Sequence, residues 1–137
     1  MISSVDYFGK WLAHPDATNE IIMDAEAMLE KVNGLLLEAE ANGVEIQTNP
    51  HTHTCVSGET YGGFRPHDCP TGAPKSQHKE GRAVDVFDPA PDNALDKWIT
   101  DARLEKHGLY RESPGSTLGW VHLQDKPPAS QRRTFQP

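Results

Sequence analysis

Several protein classes are excluded first by what this 137-residue chain lacks. No apolar run approaches the roughly 18 residues needed to cross a bilayer. The opening MISSVDYFGK has none of the basic-then-apolar order of a secretory signal. The expectation is a soluble protein, made in the cytoplasm, with no membrane insertion. Cysteine is scarce: Cys55 and Cys69 permit one disulfide at most, too few for a disulfide scaffold, and free thiols are the other state. An excess of positive charge is missing too. Against 13 Lys and Arg stand 20 Asp and Glu, a net charge of -7, which removes the electrostatic basis for a general attraction to nucleic acid or anionic lipid. There is no internal repeat. With 36% hydrophobic and 24% charged residues, the chain fits one domain, 1–137, around a single core, and a monomer is expected. What the composition does hold is histidine, seven in all.

Residues 19–41 carry apolar side chains at Ile21, Ala25, Met28, Val32, Leu35, Leu36 and Ala39, a 3.6-residue stripe that predicts a core-facing helix. Thr18 suits its N-cap, Gly43 its stop, and Gly34 inside it costs about 1 kcal/mol relative to Ala. Val44 to Thr48 alternates with period two and reads as a half-buried strand. From Asn49 to Lys75 glycines and prolines break any regular element, and so long a loop in a small domain points to function. Arg82 to Phe87 reads as a central strand. A helix capped by Asp92 follows, with Leu95, Trp98, Ile99 and Ala102 on one face and an end at His107-Gly108. Strands at 108–112 and 118–124 flank a turn at 113–116, and the tail 126–137 is expected to be extended and packed back by Phe135. These elements predict an α+β fold: a small, mainly antiparallel sheet backed by helices, with a cleft on the opposite sheet face under the long loop.

The chemistry-bearing stretch is Ser76-Gln-His78-Lys-Glu-Gly81-Arg-Ala-Val-Asp85, followed by Trp120-Val-His122. If the chain folds back sharply at Gly81, His78 can meet Asp85, and His122 on a neighbouring strand completes a set of two imidazoles and one carboxylate. Such a set is a three-ligand zinc site whose fourth position is left for water, with its pKa lowered to about 7.

The run SQHKEGRAVDV resembles the SxHxxGxAxD signature of the zinc D-alanyl-D-alanine carboxypeptidases, family fifteen of the metallopeptidases. Their fold relatives include D,D-dipeptidases of vancomycin resistance, phage L-alanyl-D-glutamate endolysins and the amino-terminal domain of hedgehog proteins. The resemblance implies a hedgehog/DD-peptidase-like fold and one zinc ion per chain on His78, Asp85 and His122. Ser57-Gly58 with Gly63-Phe64-Arg65-Pro66 is similar to a split form of the family's SGYRS segment, and Gly72 to His78 to its GGAPNSQH approach. The match runs in order over about residues 19–124, the expected core of the domain.

The chain departs from the family at Gly119, where many members carry the catalytic carboxylate three residues before the third ligand. In the hedgehog branch the glutamate lies at the end of the preceding strand, and Tyr110-Arg-Glu112-Ser113 looks similar, making Glu112 the expected base. The resemblance implies that Arg65 reaches the site, to hold a substrate carboxylate or steady an oxyanion. Ser76 and Trp120 are expected at the substrate cleft, Ser76 as a turn residue and Trp120 as a core aromatic that shapes it. His51 and His53 alternate on an extended segment and suit a surface or rim position. His67 with Cys55 and Cys69 lacks the paired spacing of a structural zinc site. His14 reads as a loop residue, His107 as a helix end, and Trp98 as core. The implied function is zinc-dependent hydrolysis of a peptidoglycan stem peptide, at D-Ala-D-Ala or an internal L,D bond, by a phage- or prophage-type cell-wall enzyme. The rivals are a zinc-stabilised binding module and a phage structural component. If the resemblance holds, Arg65→Ala should lose most turnover while still binding zinc, as a peptide-release assay beside a zinc count would show.

Overall fold

The expected long helix forms the backbone of the domain. In the computed structural model, which describes residues 1–71 and 75–137, helix α2 spans Asn19–Ala41. The Thr18 hydroxyl caps it by accepting the Ile21 amide at 3.2 Å, and Gly43, at φ +84°, turns the chain away. Its buried stripe runs from Ala25 through Met28, Leu29, Val32, Leu35 and Leu36 to Ala39, adding Leu29 to the sequence pattern, while Ile21 is only partly buried.

Four strands make a mixed sheet in the order β1-β3-β2-β4: β1 Ala83–Phe87, β2 Tyr110–Glu112, β3 Trp120–Gln124 and β4 Thr134–Phe135. The pairs β1/β3 and β2/β3 are antiparallel, and β2/β4 is parallel. Helices with this small sheet make an α+β fold. The side-chain period of two sends Val84, Val86, Val121 and Leu123 into the same buried cluster as the α2 stripe. Asp85, His122, Gln124 and Glu112 therefore share the other face. The tail packs back as expected: its β4 hydrogen-bonds β2, with Ser113 N–H donating to the Phe135 carbonyl at 2.8 Å.

Three expectations are corrected. Val44 to Thr48 forms no strand, because no neighbouring strand receives its hydrogen bonds; Val44 and Ile46 rest on the core from an unpaired extended segment, and only Asn49 makes a bridge, to Thr54. The helix after Asp92 is two helices, α3 Ala94–Trp98 and α4 Asp101–His107. Ile99 is extended between them, and the Thr100 hydroxyl caps α4 by accepting the Arg103 amide. Asp92 does not cap α3. That role falls to Asp88 at the end of β1, whose carboxylate accepts the Leu95 and Asp96 amides at 3.1 and 2.9 Å. Finally, β1 is not central: it stands at one end of the sheet, its outer edge covered by the long loop through Ser57 N–H to Asp85 O, Asp85 N–H to Gly62 O and Phe87 N–H to Cys55 O.

The core also begins before residue 19. Ser3 and Asp6 form a capping box on helix α1, Ser4–Phe8, which buries Tyr7 and Phe8 and continues into a short 3-10 turn, Gly9–Trp11. Five residues are too few for a periodic signal. No helix is long and apolar enough to cross a membrane among the described residues.

Two neighbouring leucines on α2 test this packing. Leu36→Ala, at a fully buried position, should lower stability by about 3 kcal/mol, whereas Leu37→Ala, 57% exposed, should change it by less than about 0.5 kcal/mol, both read from urea midpoints.

Candidate metal centre

Two local devices bring the three expected ligands together. The first is the turn before β1. Ser76 Oγ accepts the His78 amide at 3.3 Å and caps the 3-10 turn Gln77–Glu80, which is the turn role expected of it. Gly81 then takes φ +71° hard against α2, where a Cβ would stand 2.9 Å from the Ile21 carbonyl oxygen. The chain can reverse so closely only with glycine there, and the reversal lays His78 over β1. The second device is strand register, which sets Asp85 directly opposite His122. Asp85 Oδ1 lies 3.3 Å from His78 Nε2 and 3.0 Å from His122 Nδ1, and the two ring nitrogens are 3.3 Å apart. All three residues are buried.

The hydrogen bonds around this triangle assign its protons. His78 Nδ1 lies 2.8 Å from the Gly63 carbonyl and must donate to it, so Nε2 points inward with its lone pair. The Gln124 amide donates to the Lys126 carbonyl at 2.7 Å, which turns its Oε1 to accept from His122 Nε2 at 2.8 Å. His122 therefore presents its Nδ1 lone pair. Three acceptors thus face one point, an arrangement that could hold a metal cation among them. Donors on a tetrahedral zinc ion at about 2.0–2.1 Å stand about 3.3 Å apart, so both the donor set and its spacing fit that metal. Burial pushes the Asp85 carboxyl up, but the imidazoles of His78 and His122 outweigh it and hold the group well below the usual carboxylate range. Burial disfavours charge on His122, but the hydrogen bond and charge of Asp85 outweigh it and push the imidazole pKa up.

The remaining expected residues line the same cleft, about 450 Å³ in volume: Arg65, Ser76, Glu112 and Trp120 all face it. Glu112 Oε2 is 4.0 Å from His122 Nδ1, at the rim of the triangle. Arg65 reaches the cleft as expected, but its guanidinium is engaged with a candidate ligand, so Arg65→Ala is expected to weaken metal binding as well as turnover. Its Nε donates to the Tyr61 carbonyl at 2.7 Å and its Nη2 to Asp85 Oδ2 at 3.4 Å, so the guanidinium steadies the outer oxygen of a ligand and leaves Oδ1 to face inward. Sequence reasoning missed Gln124 and the Gly63 carbonyl, the two groups that orient the imidazoles. Gln124 had a signal: it lies two residues after His122, on the same strand face. Gly63 had none, because a carbonyl carries no residue identity. Phe135 of the tail adds an apolar wall, its ring edge-on to His122 at 6.3 Å.

The other histidines stand apart. His51 and His53 are exposed, as expected of a surface position, but they sit in a tight turn with His53 at φ +59°, not on an extended segment. His107 ends α4, as expected, and pairs with Glu38 of α2. His14, Asp16 and Asp68 gather within ligand distance of one another, yet His14 Nδ1 already accepts the Asp16 amide at 3.0 Å, which leaves Nε2 carrying the proton. That group is less buried than the first. Cys55 and Cys69 are free thiols, and burial pushes the Cys55 thiol up. Of the expected approach segment Gly72 to His78, residues 72–74 lie outside the described residues.

Compared with protein-family models, curated proteins and solved structures, the chain matches none. The site is therefore defined by its own geometry, which makes the orienting amide a direct test. Gln124→Leu should weaken zinc binding about 10-fold to 100-fold while the protein stays folded, measured by competition with a chromophoric chelator.

Proposed function

We propose that this chain is a zinc-dependent peptide hydrolase of the hedgehog/DD-peptidase type, acting on peptidoglycan stem peptides at a D-Ala-D-Ala end or an internal L,D bond. The observation that carries this reading is the triangle of three buried lone pairs, each held inward by its own outer partner, beside a carboxylate in an open cleft. His78, Asp85 and His122 would hold the metal. When bound, zinc supplies Lewis-acid activation of water and of the scissile carbonyl.

The protein's own groups do the rest. Glu112, 20% exposed and 4.0 Å from a ligand nitrogen, can take a proton from the attacking water and deliver it to the departing amine as the C–N bond breaks. The water oxygen ends on the new carboxyl group, so the proton count closes. Arg65 keeps Asp85 in its one-oxygen pose. Lys75, on the same cleft, offers positive charge to a substrate carboxylate, and Trp120 and Phe135 give apolar walls to the groups beside the bond. By the same analogy the site of action is the bacterial cell wall, in a phage or prophage setting.

The rival reading, a zinc-stabilised binding or particle module of the same fold, draws on Gly119. At φ +92° with open space around it, this glycine stands where many members of the resembled family have their carboxylate.

Zinc-loaded protein incubated with stem-peptide fragments, beside a chelated control, should release D-Ala or cut after L-Ala only when metal is present, as mass spectrometry would show. Glu112→Gln should cut that rate by at least about 100-fold with zinc retained. A zinc-loaded wild type that yields no metal-dependent product from any stem peptide would establish the module instead.

A further inference from the structure

We infer that the N-terminal segment Ser4–Trp11 is a positioning element of the metal centre, with Trp11 as its outer anchor. This rests on the metal-binding reading of His78, Asp85 and His122. The segment touches none of the three ligands through a side-chain hydrogen bond, but it grips the one stretch, residues 60–65, that orients two of them.

On the outer side, Trp11 Nε1 donates to the Thr60 carbonyl at 3.3 Å and its ring stacks on Tyr61 at 6.2 Å with an 18° tilt. The Tyr7 carbonyl accepts the Phe64 amide at 3.2 Å, and Phe8 packs on Phe64 with ring centres 5.2 Å apart. The approach is so close that a Cβ on Gly63 would run into the Tyr7 carbonyl. On the inner side, the same stretch holds the ligands. The Gly63 carbonyl fixes His78 Nδ1, the Arg65 amide donates to the His78 carbonyl at 3.2 Å, and the Tyr61 carbonyl fixes the guanidinium that grips Asp85 Oδ2.

The segment is itself firmly seated. Ile2 and Asn33 of α2 exchange two hydrogen bonds, Ile2 N–H to Asn33 Oδ1 at 2.9 Å and Asn33 Nδ2 to Ile2 O at 3.0 Å, and Tyr7 and Phe8 are buried in the core. Residues 60–65 have no helix or strand of their own, and their backbone is held between the β1 edge, where the Asp85 amide donates to the Gly62 carbonyl at 2.7 Å, and this outer grip. Loosening it frees the Gly63 and Tyr61 carbonyls, and the imidazole and carboxylate they orient lose their inward pose.

Cobalt(II) titrations of the full chain test this, because the visible d–d bands report coordination geometry without any assay of hydrolysis. Trp11→Ala should weaken cobalt affinity about tenfold and lower the band intensity, and Trp11→Phe, which keeps the stacked ring, should recover most of both. Leu104→Ala serves as the control, in α4 on the opposite sheet face. It should lower the melting temperature yet leave cobalt affinity within about twofold of wild type. Wild-type affinity and spectrum in Trp11→Ala would overturn the inference, as would an equal loss in Leu104→Ala. A wild-type protein that takes up no cobalt would overturn the metal-centre reading and this inference with it; uptake with an unmoved Trp11→Ala would overturn this inference alone.

Discussion

The antiparallel register of β1 on β3 is the constraint on which the rest of the site depends. It places Asp85 opposite His122 and, on the alternate positions, Val84 opposite Leu123 and Val86 opposite Val121. Because side chains alternate with a period of two, a slip of one residue would send the carboxylate or the imidazole into the apolar cluster and bring a valine into the cleft. Burial of Val84, Val86, Val121 and Leu123 against α2 therefore selects the same register that assembles the polar triangle on the other face. Packing and chemistry are two readings of one pairing.

A buried carboxylate is costly unless it is paired, and here the pairing comes from irregular backbone. Gly63 and Tyr61 lend carbonyls, Arg65 lends a guanidinium, and Gln124 holds His122 from its own strand. The long loop also covers the open edge of β1 with three hydrogen bonds, so one segment both completes the sheet and orients the candidate ligands. Its glycines explain how it comes so near: at Gly62 and Gly63 a Cβ would strike backbone of Ser57 and Tyr7.

Polar pins fix the layers elsewhere. Asp125, at the end of β3 and almost fully buried, takes Arg82 on one oxygen and Lys31 of α2 on the other. Arg111 points from β2 to the helix side, where it donates to the Asp96 carboxylate at 2.9 Å and, through Nε, to Thr134 of the tail. Burial pushes the Asp96 carboxyl up and Arg111 pulls it back only in part, so the contribution of this pin is orientation more than net stability. It joins α3, β2 and β4, the parts that set the Glu112 and Phe135 side of the cleft.

By itself the sequence determined the long helix, the strands that carry Asp85 and His122, the turn at Gly81, and the three candidate ligands, but not the groups that orient them. Those signals are local: a 3.6-residue stripe on α2, alternation on β3, and a glycine where only glycine fits. Tertiary structure alone decided that Val44 to Thr48 finds no partner strand, that the helix after Asp92 breaks at Ile99, and that a five-residue helix near the N-terminus belongs to the core. It also decided that Arg65 is committed to Asp85. The physical reason is common to all four. Strand pairing, helix breaks over a core, close backbone approach and carbonyl hydrogen bonds depend on what lies opposite in space, and that neighbour is distant along the chain.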